Sequence, residues 1–208
     1  MPEITRVGVI DHGSGNLHSA CRALSEAGAE VVLSRHLDEL ARTDALVLPG
    51  VGALASCMAG LRAMGGDELV ADQVDRGRPL LGICVGHQML FEDGEERGEP
   101  VAGLGILPGT VTMLPADRLP HMGWNTVAPC EGTRLFRGIE EERFYFVHSY
   151  GLVDPGQHTG ITTCTHEDAV FVAACELGAV CSTQFHPEKS GQAGQRLLRN
   201  WLDAVWDD

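Results

Sequence analysis

The sequence PLLGICVGHQ at residues 79–88 places a cysteine between two glycines, where an apolar run gives way to a helix-like segment. This pattern predicts a strand, a tight turn and a helix, with Cys84 on the turn. Small neighbours such as Gly82 and Gly86 let the backbone adopt a strained conformation and approach a substrate closely. The dipole at a helix N-terminus also favours a thiolate there. The stretch therefore predicts a nucleophile elbow, with a buried structural cysteine as the alternative.

A base for this cysteine is available far downstream, in the segment Gln184-Phe185-His186-Pro187-Glu188-Lys189. A cysteine nucleophile needs a base to accept its proton, and the base needs a group that orients it. Proline biases the preceding residue towards extended backbone, in which side chains two positions apart point the same way. His186 and Glu188 can therefore project into one cleft, as the base and its orienting carboxylate. A surface loop with a salt-bridged glutamate is the alternative.

Strand-like and helix-like segments alternate through the first half of the chain. The predicted strands are 7–10, 31–33, 45–48 and 80–83, and the predicted helices are 17–27, 37–40, part of 54–64, and 69–75. Asn16 is a plausible N-cap of the first helix, and Gly28 its terminator. The alternation predicts an α/β fold with a mostly parallel central sheet and flanking helices. Ligands in such sheets bind beyond the carboxyl ends of the strands, where Cys84 and the loops 13–15 and 49–52 fall.

The alternation of strand-like and helix-like segments ends after Gly94. Segments 105–114, 144–148, 170–174 and 179–185 are strand-like, which predicts additional antiparallel strands in the C-terminal half. A final helix over 195–206 carries an apolar stripe at helical spacing, formed by Leu198, Trp201, Leu202 and Val205. There is no internal repeat and no linker, so we expect residues 1–208 to form a single domain.

Charge, apolar runs and cysteine pattern argue against several classes of function. The net charge is −14, with 29 acidic against 15 basic residues, which argues against binding to nucleic acid or to an anionic membrane. No apolar run reaches transmembrane length and Met1-Pro2-Glu3 lacks a basic leader, so we expect a cytoplasmic protein. The seven cysteines are scattered without a C-x-x-C pair and are expected to be reduced. Cys164-Thr165-His166 has no second ligand pair, so neither a metal nor another cofactor is expected.

With these motifs, the chain resembles the class I (triad) glutamine amidotransferases. The seven-residue motif at 82–88 and the segment His186-Pro187-Glu188 match that family's pattern. The resemblance implies Cys84 as nucleophile, His186 as general base and then acid, and Glu188 as the orienting carboxylate. It also implies substrate contacts at Gln88, Ser149 and Tyr150.

Further segments are similar to the family of glutaminase subunits of imidazole glycerol phosphate synthase, an enzyme of histidine biosynthesis. The discriminating pieces are Pro49-Gly50-Val51-Gly52-Ala53 and His121-Met122-Gly123-Trp124-Asn125. The resemblance implies a (β/α)₈-barrel cyclase partner, which uses ammonia to make imidazole glycerol phosphate and an aminoimidazole carboxamide ribotide. The chain departs from this family's usual residues at His87 (more often methionine), at His12 (usually tyrosine) and at Gly151 (usually bulkier).

An amide hydrolase also needs donors for the oxyanion of its tetrahedral intermediates. The elbow supplies the backbone N–H of Val85, the residue after the nucleophile. Val51 and Gly52 are the second source we expect, because glycines on both sides of Val51 let that peptide reorient. The resemblance implies that the partner drives this reorientation. An ordinary tight turn after a strand is the alternative.

The partner-docking face is predicted at Asn16, Met122, Trp124 and Asn125, since tryptophan and methionine are enriched at interfaces. A tryptophan beside glycine in a β-rich region is equally typical of a core. Gly13-Ser14-Gly15 lacks the full fingerprint of a phosphate-binding loop, so nucleotide binding is not expected there.

Other functions remain as alternatives. The chain could serve anthranilate, aminodeoxychorismate or pyridoxal phosphate synthesis, and His87-Gln88 leans towards the first two. A free-standing cysteine hydrolase acting on γ-glutamyl substrates would turn over without a partner. A non-catalytic scaffold subunit is disfavoured by the intact set of cysteine, histidine and glutamate.

Overall fold

The computed structural model describes residues 5–153 and 160–204. In these residues the strands are, in chain order, β1 (Arg6–Ile10), β2 (Glu30–Ser34), β3 (Ala45–Gly50), β4 (Leu80–Cys84), β5 (Phe91–Glu96), β6 (Glu99–Ala102), β7 (Leu107–Met113), β8 (His121–Thr126), β9 (Arg143–His148), β10 (Tyr150–Gly151), β11 (Ile161–His166), β12 (Ala169–Leu177) and β13 (Val180–Thr183). The helices are α1 (Leu17–Ala27), α2 (Leu37–Leu40), α3 (Leu54–Ala63), α4 (Gly66–Asp75), α5 (Val85–Met89) and α6 (Gly191–Ala204), and a 3₁₀ turn occupies Pro187–Lys189.

The central layer is a seven-stranded sheet in the order β11-β12-β13-β4-β3-β1-β2. The five strands from β13 to β2 are parallel, whereas β12 and β11 are antiparallel to their neighbours. The predicted mostly parallel sheet with flanking helices is therefore confirmed, and so are the added antiparallel strands. A smaller sheet, β10-β7-β5-β6, and the antiparallel pair β8-β9 complete the described strands.

Burial explains why the parallel strands form where they do. Every residue of β3 and β4 is buried, as expected for inner strands that are covered on both faces. No helix among residues 5–153 and 160–204 is long and apolar enough to span a membrane.

The two predicted helices with the clearest signals have the expected packing. α1 ends at Gly28, whose φ of 113° lies in the left-handed region that favours glycine. α6 begins at Gly191 rather than Gln195, and it buries Leu198, Trp201 and Leu202. Val205 of the predicted stripe lies outside the described residues.

Strand register brings the functional loops together. Gly50 at the end of β3 pairs with Cys84 at the end of β4. On the other side of β4, β13 ends at Thr183 and leads directly to His186. The loop after β3, the elbow and the His186 segment therefore meet at the carboxyl edge of the sheet.

Candidate active site

Cys84 lies on a strained turn between β4 and α5. Its φ is 57° and its ψ is −110°, an uncommon conformation for a residue with a side chain. The turn is packed tightly against β3, because a Cβ added at Gly86 would lie 1.8 Å from the Leu48 carbonyl oxygen. A Cβ at Gly50 would lie 2.8 Å from the Gly86 nitrogen. Glycine at both positions therefore lets the elbow form against the neighbouring strand.

His186 and Glu188 form a buried pair beside this elbow. His186 Nδ1 lies 2.7 Å from Glu188 Oε1, and each side chain is only 2% exposed. His186 has the extended backbone that a following proline favours, with φ −100° and ψ 99°. Glu188, however, lies in the 3₁₀ turn rather than in extended chain. The predicted pairing is present, but the turn creates it.

Two neighbours set the protonation of His186. Burial lowers the pKa of His186, but hydrogen bonds to Cys84 and Glu188, together with their charges, outweigh burial and raise it to about 9. Glu188 Oε1 accepts a hydrogen bond from Nδ1 of His186, which leaves Nε2 of the ring for the Cys84 sulfur. At neutral pH the ring therefore favours the imidazolium form, which can donate a proton to a leaving group.

Asn16 contacts the pair from α1. Asn16 occupies the predicted N-cap position, where its carbonyl oxygen accepts from the Ala20 N–H over 3.0 Å, but its side chain makes no capping hydrogen bond to α1. Its Nδ2 instead donates to Glu188 Oε1 over 3.5 Å. The amide is drawn to a buried carboxylate, which is a stronger acceptor than a neutral group. Among the described residues, Glu188 Oε2 has no hydrogen-bond partner.

A cavity of about 490 Å³ opens in front of Cys84. The predicted residues that line it are Cys84, Val85, Val51, Gly52, Gln88, Ser149, Tyr150, Asn16 and His186. This volume falls in the range of small-molecule sites, which are typically about 300–1,000 Å³. The expected nucleophile and base, both expected oxyanion segments and the expected substrate contacts thus border one cavity.

The residues of the chain match the family model for glutamine amidotransferase class-I over positions 8–205. The chain belongs to this family. Curated relatives include "Imidazole glycerol phosphate synthase subunit HisH" of Cutibacterium acnes, 66% identical over 99% of this chain and 100% of that protein. The protein of the same name from Renibacterium salmoninarum is 50% identical over 96% of this chain and 94% of its own length.

Solved structures share the amidotransferase fold. One described as "Crystal structure of glutamine amidotransferase" has a TM-score of 0.76 at 23% identity and covers 96% of this chain and 98% of its own. "Structure of PurLQS from Thermotoga maritima" has a TM-score of 0.75 at 19% identity and covers 98% of this chain and 100% of that chain. At these identities the likeness concerns the fold alone.

In this amidotransferase the side chain of Gln88 is buried, not on a helix surface. Its Nε2 donates to the Tyr150 carbonyl oxygen over 2.9 Å and to Gln184 Oε1 over 3.0 Å. Gln184 Nε2 in turn lies 4.0 Å from Cys84 Sγ. Gln88 thus holds the backbone at Tyr150 and reaches the nucleophile through a second amide.

Sequence reasoning missed four polar residues at the amidotransferase site. They are Gln184, Glu95, Glu96 and Lys189. Gln184 is two positions before His186 in a strand-like segment, so the alternation of side chains could have indicated it. Lys189 adjoins the recognised motif and is the only lysine in the chain. No pattern distinguished Glu95 and Glu96 from other acidic residues.

Other titratable groups are less suited to the chemistry expected of Cys84, His186 and Glu188. Burial raises the pKa of the thiols of Cys164, Cys175 and Cys181 to about 12, so they are poor nucleophiles at neutral pH. Burial lowers the pKa of His148 to about 3, and its Nδ1 is 2.9 Å from the Tyr150 carbonyl oxygen. His148 is therefore a packed, hydrogen-bonded histidine. The described residues contain no group of three or more candidate metal ligands.

The departures from the family pattern have structural roles. His87 is fully buried, with Nδ1 2.7 Å from Ser182 Oγ, and burial lowers its pKa to about 3. A Cβ at Gly151 would lie 3.3 Å from the Leu114 side chain, so a bulkier residue there requires repacking. His12 contacts the carbonyl oxygen of Pro49 near the end of β3.

The expected docking residues fall into two groups. Met122 and Trp124 are 62% and 47% exposed on β8. They pair with Val147 and Tyr145 on β9, and Val147 lines the cavity. Asn125 is half-buried and donates to the Thr165 carbonyl oxygen over 2.9 Å, so its amide is engaged within the chain.

Proposed function

We propose that the chain hydrolyses the side-chain amide of glutamine, with Cys84 as nucleophile, His186 as general base and acid, and Glu188 as the orienting carboxylate. The observation that carries this proposal is the buried His186–Glu188 contact of 2.7 Å beside a cysteine on a strained turn. The assembly has the arrangement that nucleophilic catalysis requires, namely a nucleophile, its base and a third group that orients the base.

The reaction proceeds in two halves. His186 accepts the proton of the Cys84 thiol, the sulfur attacks the carboxamide carbon, and the carbonyl oxygen becomes an oxyanion. The intermediate then collapses, the C–N bond breaks, and ammonia leaves with a proton from His186. A water molecule gives a proton to His186 and attacks the thioester carbon. The C–S bond breaks, and glutamate leaves with the thiol regenerated.

The oxyanion would lie between two backbone segments. Val85 is the first residue of α5, and the first N–H groups of a helix have no partner within the helix. Val51 and Gly52 border the same cavity from the loop after β3, and their N–H groups are the second donors in this proposal. Donors already fixed at the site of developing charge stabilise the transition state without reorganisation.

The amino-acid end of glutamine would be bound at the cavity wall. Its ammonium group requires an acceptor, and the carboxylates of Glu95 and Glu96 line the cavity. Its carboxylate requires a donor, and Lys189 also lines the cavity. Gln88, Ser149 and Tyr150 contact the remainder of the substrate in this proposal.

The ammonia is proposed to pass to a (β/α)₈-barrel cyclase subunit that makes imidazole glycerol phosphate, in the cytoplasm. The named relatives support this assignment, because both are subunits of imidazole glycerol phosphate synthase. They disfavour the alternative pathways that remained open from the sequence. The proposed docking face contains Met122, Trp124 and Asn16, beside the cavity mouth. In this proposal residues 1–208 act as one glutamine amidotransferase domain that requires no cofactor.

The decisive experiment replaces the nucleophile. Cys84→Ala, mixed with the cyclase subunit and its nucleotide substrate, should lose glutamine-dependent synthesis but retain synthesis from added ammonium salt. Cys21→Ala, a half-buried thiol on α1, is the matched control and should retain both. Glutamine use by Cys84→Ala would contradict the mechanism. Full glutaminase activity of the wild-type chain without a partner would favour a free-standing hydrolase.

A further inference from the structure

Three side chains outside the cavity hold the end of β3 and the loop that follows it. His12 Nε2 lies 2.6 Å from the Pro49 carbonyl oxygen. Ser14 Oγ donates to the Val51 carbonyl oxygen over 2.6 Å. Cys57 Sγ donates to that same oxygen over 3.4 Å. The carbonyls on both sides of the Gly50–Val51 peptide are therefore tied to side chains.

The roles of donor and acceptor in these contacts are fixed by chemistry. A carbonyl oxygen only accepts hydrogen bonds, so His12 must carry its proton on Nε2. His12 is 5% exposed and Cys57 is fully buried. Among the described residues, His12 Nδ1 has no hydrogen-bond partner, so the Pro49 contact alone orients the ring.

The direction of these bonds matters for the oxyanion. His12, Ser14 and Cys57 do not line the cavity in front of Cys84, so the two carbonyl oxygens are engaged outside it. Gly52 has a φ of 87°, and Gly50 and Gly52 give the loop backbone freedom that other residues would restrict. If either carbonyl were released, the loop could turn a negative oxygen dipole towards the cavity, where it would repel the oxyanion.

We propose that His12 and Ser14, with Cys57, are positioning residues that keep the carbonyls of Pro49 and Val51 out of the oxyanion site. They leave the N–H groups of Val51 and Gly52 available. Reorientation is then confined to the single Gly50–Val51 peptide, which lies between the held carbonyls of Pro49 and Val51. The inference rests on the proposed glutaminase function. It also gives a role to the Gly13-Ser14-Gly15 loop, where the sequence predicted no nucleotide binding.

The chain offers matched variants at His12 and at Ser14. His12→Phe keeps a ring of similar size but removes the donor, whereas His12→Gln places an amide N–H where Nε2 lies. Ser14→Ala removes the hydroxyl, whereas Ser14→Thr keeps it. With the cyclase subunit present, His12→Phe and Ser14→Ala should each lower kcat for glutamine about tenfold, less than the roughly 100-fold or greater loss from deleting an oxyanion donor. KM should change little, and His12→Gln and Ser14→Thr should recover most of the activity.

Two further measurements separate positioning from general damage. Alkylation of Cys84 by iodoacetamide forms no oxyanion, so its rate should be unchanged in all four variants. Synthesis from ammonium salt should also be unchanged. If wild-type protein uses glutamine while His12→Phe and Ser14→Ala match its kcat, the inference is overturned and the proposed function stands. If wild-type protein with its partner does not use glutamine, the proposed function fails, and this inference fails with it. If His12→Phe does not fold, Ser14→Ala decides the question.

Discussion

Replacing Glu188 by glutamine tests how the triad works. The substitution keeps the size of the side chain but removes the charge that faces His186 Nδ1 at 2.7 Å. Because the amide can offer either its oxygen or its nitrogen, it no longer enforces a proton on Nδ1. The base therefore loses both its charge partner and its fixed tautomer.

The size of the effect follows from the pKa of His186. The pKa is raised from 6.5 to about 9. At about 1.4 kcal/mol per pKa unit, the folded site favours the imidazolium by roughly 3 kcal/mol. Cys84 and Glu188 both contribute through a hydrogen bond and a charge. Loss of the Glu188 hydrogen bond and charge should lower the pKa of His186 from this raised value.

Because the pKa of His186 is raised in the folded state, its stabilising contribution is fully present below pH 6.5 and is lost as pH rises through 9. Glu188→Gln should therefore be destabilised most near pH 6, and the difference from wild type should shrink above pH 9. Its kcat for glutamine should fall about 10³- to 10⁴-fold, as for the comparable substitution in a serine-protease triad.

The assay is an NMR titration of the histidine rings, with His186→Gln used to assign the signal, alongside glutaminase rates measured with the cyclase present. Glu141→Gln, an exposed carboxylate in the turn before β9, is the control and should resemble wild type. An unchanged His186 midpoint in Glu188→Gln would refute the reasoning that Glu188 sets the charge of the base.

Two other predictions concern stability and docking. Burial lowers the pKa of His87 and His148 to about 3. Each neutral ring therefore contributes its full stability above pH 6.5, and the free energy of unfolding falls on acidification, by about 2 kcal/mol per histidine at pH 5. His87→Met should flatten this decline in urea unfolding measured at pH 7 and pH 5, and an equally steep decline would contradict the assignment. Trp124→Ala should weaken binding to the cyclase by about 2 kcal/mol in calorimetry, as for an aromatic hot spot. Val170→Ala, also 47% exposed, is the control, and equal losses in the two variants would argue against a docking face at Trp124.

The sequence by itself determined the elbow, the order of strands and helices in the first half, and the pairing of His186 with Glu188. These features are encoded locally, because apolar periodicity, small residues at a turn and proline geometry act over a few neighbouring positions. The same local signals identified α1, from Leu17 to its glycine terminator.

Tertiary structure alone decided the contacts between residues that lie far apart in the chain. Asn16 has the local chemistry of a helix cap, yet its amide reaches Glu188 because a buried carboxylate lies within range. Likewise, nothing in the sequence near His12 or Ser14 indicates that they hold the carbonyls of Pro49 and Val51. Such contacts depend on strand register and on the direction of each side chain, which are fixed only when the sheet and its helices pack together.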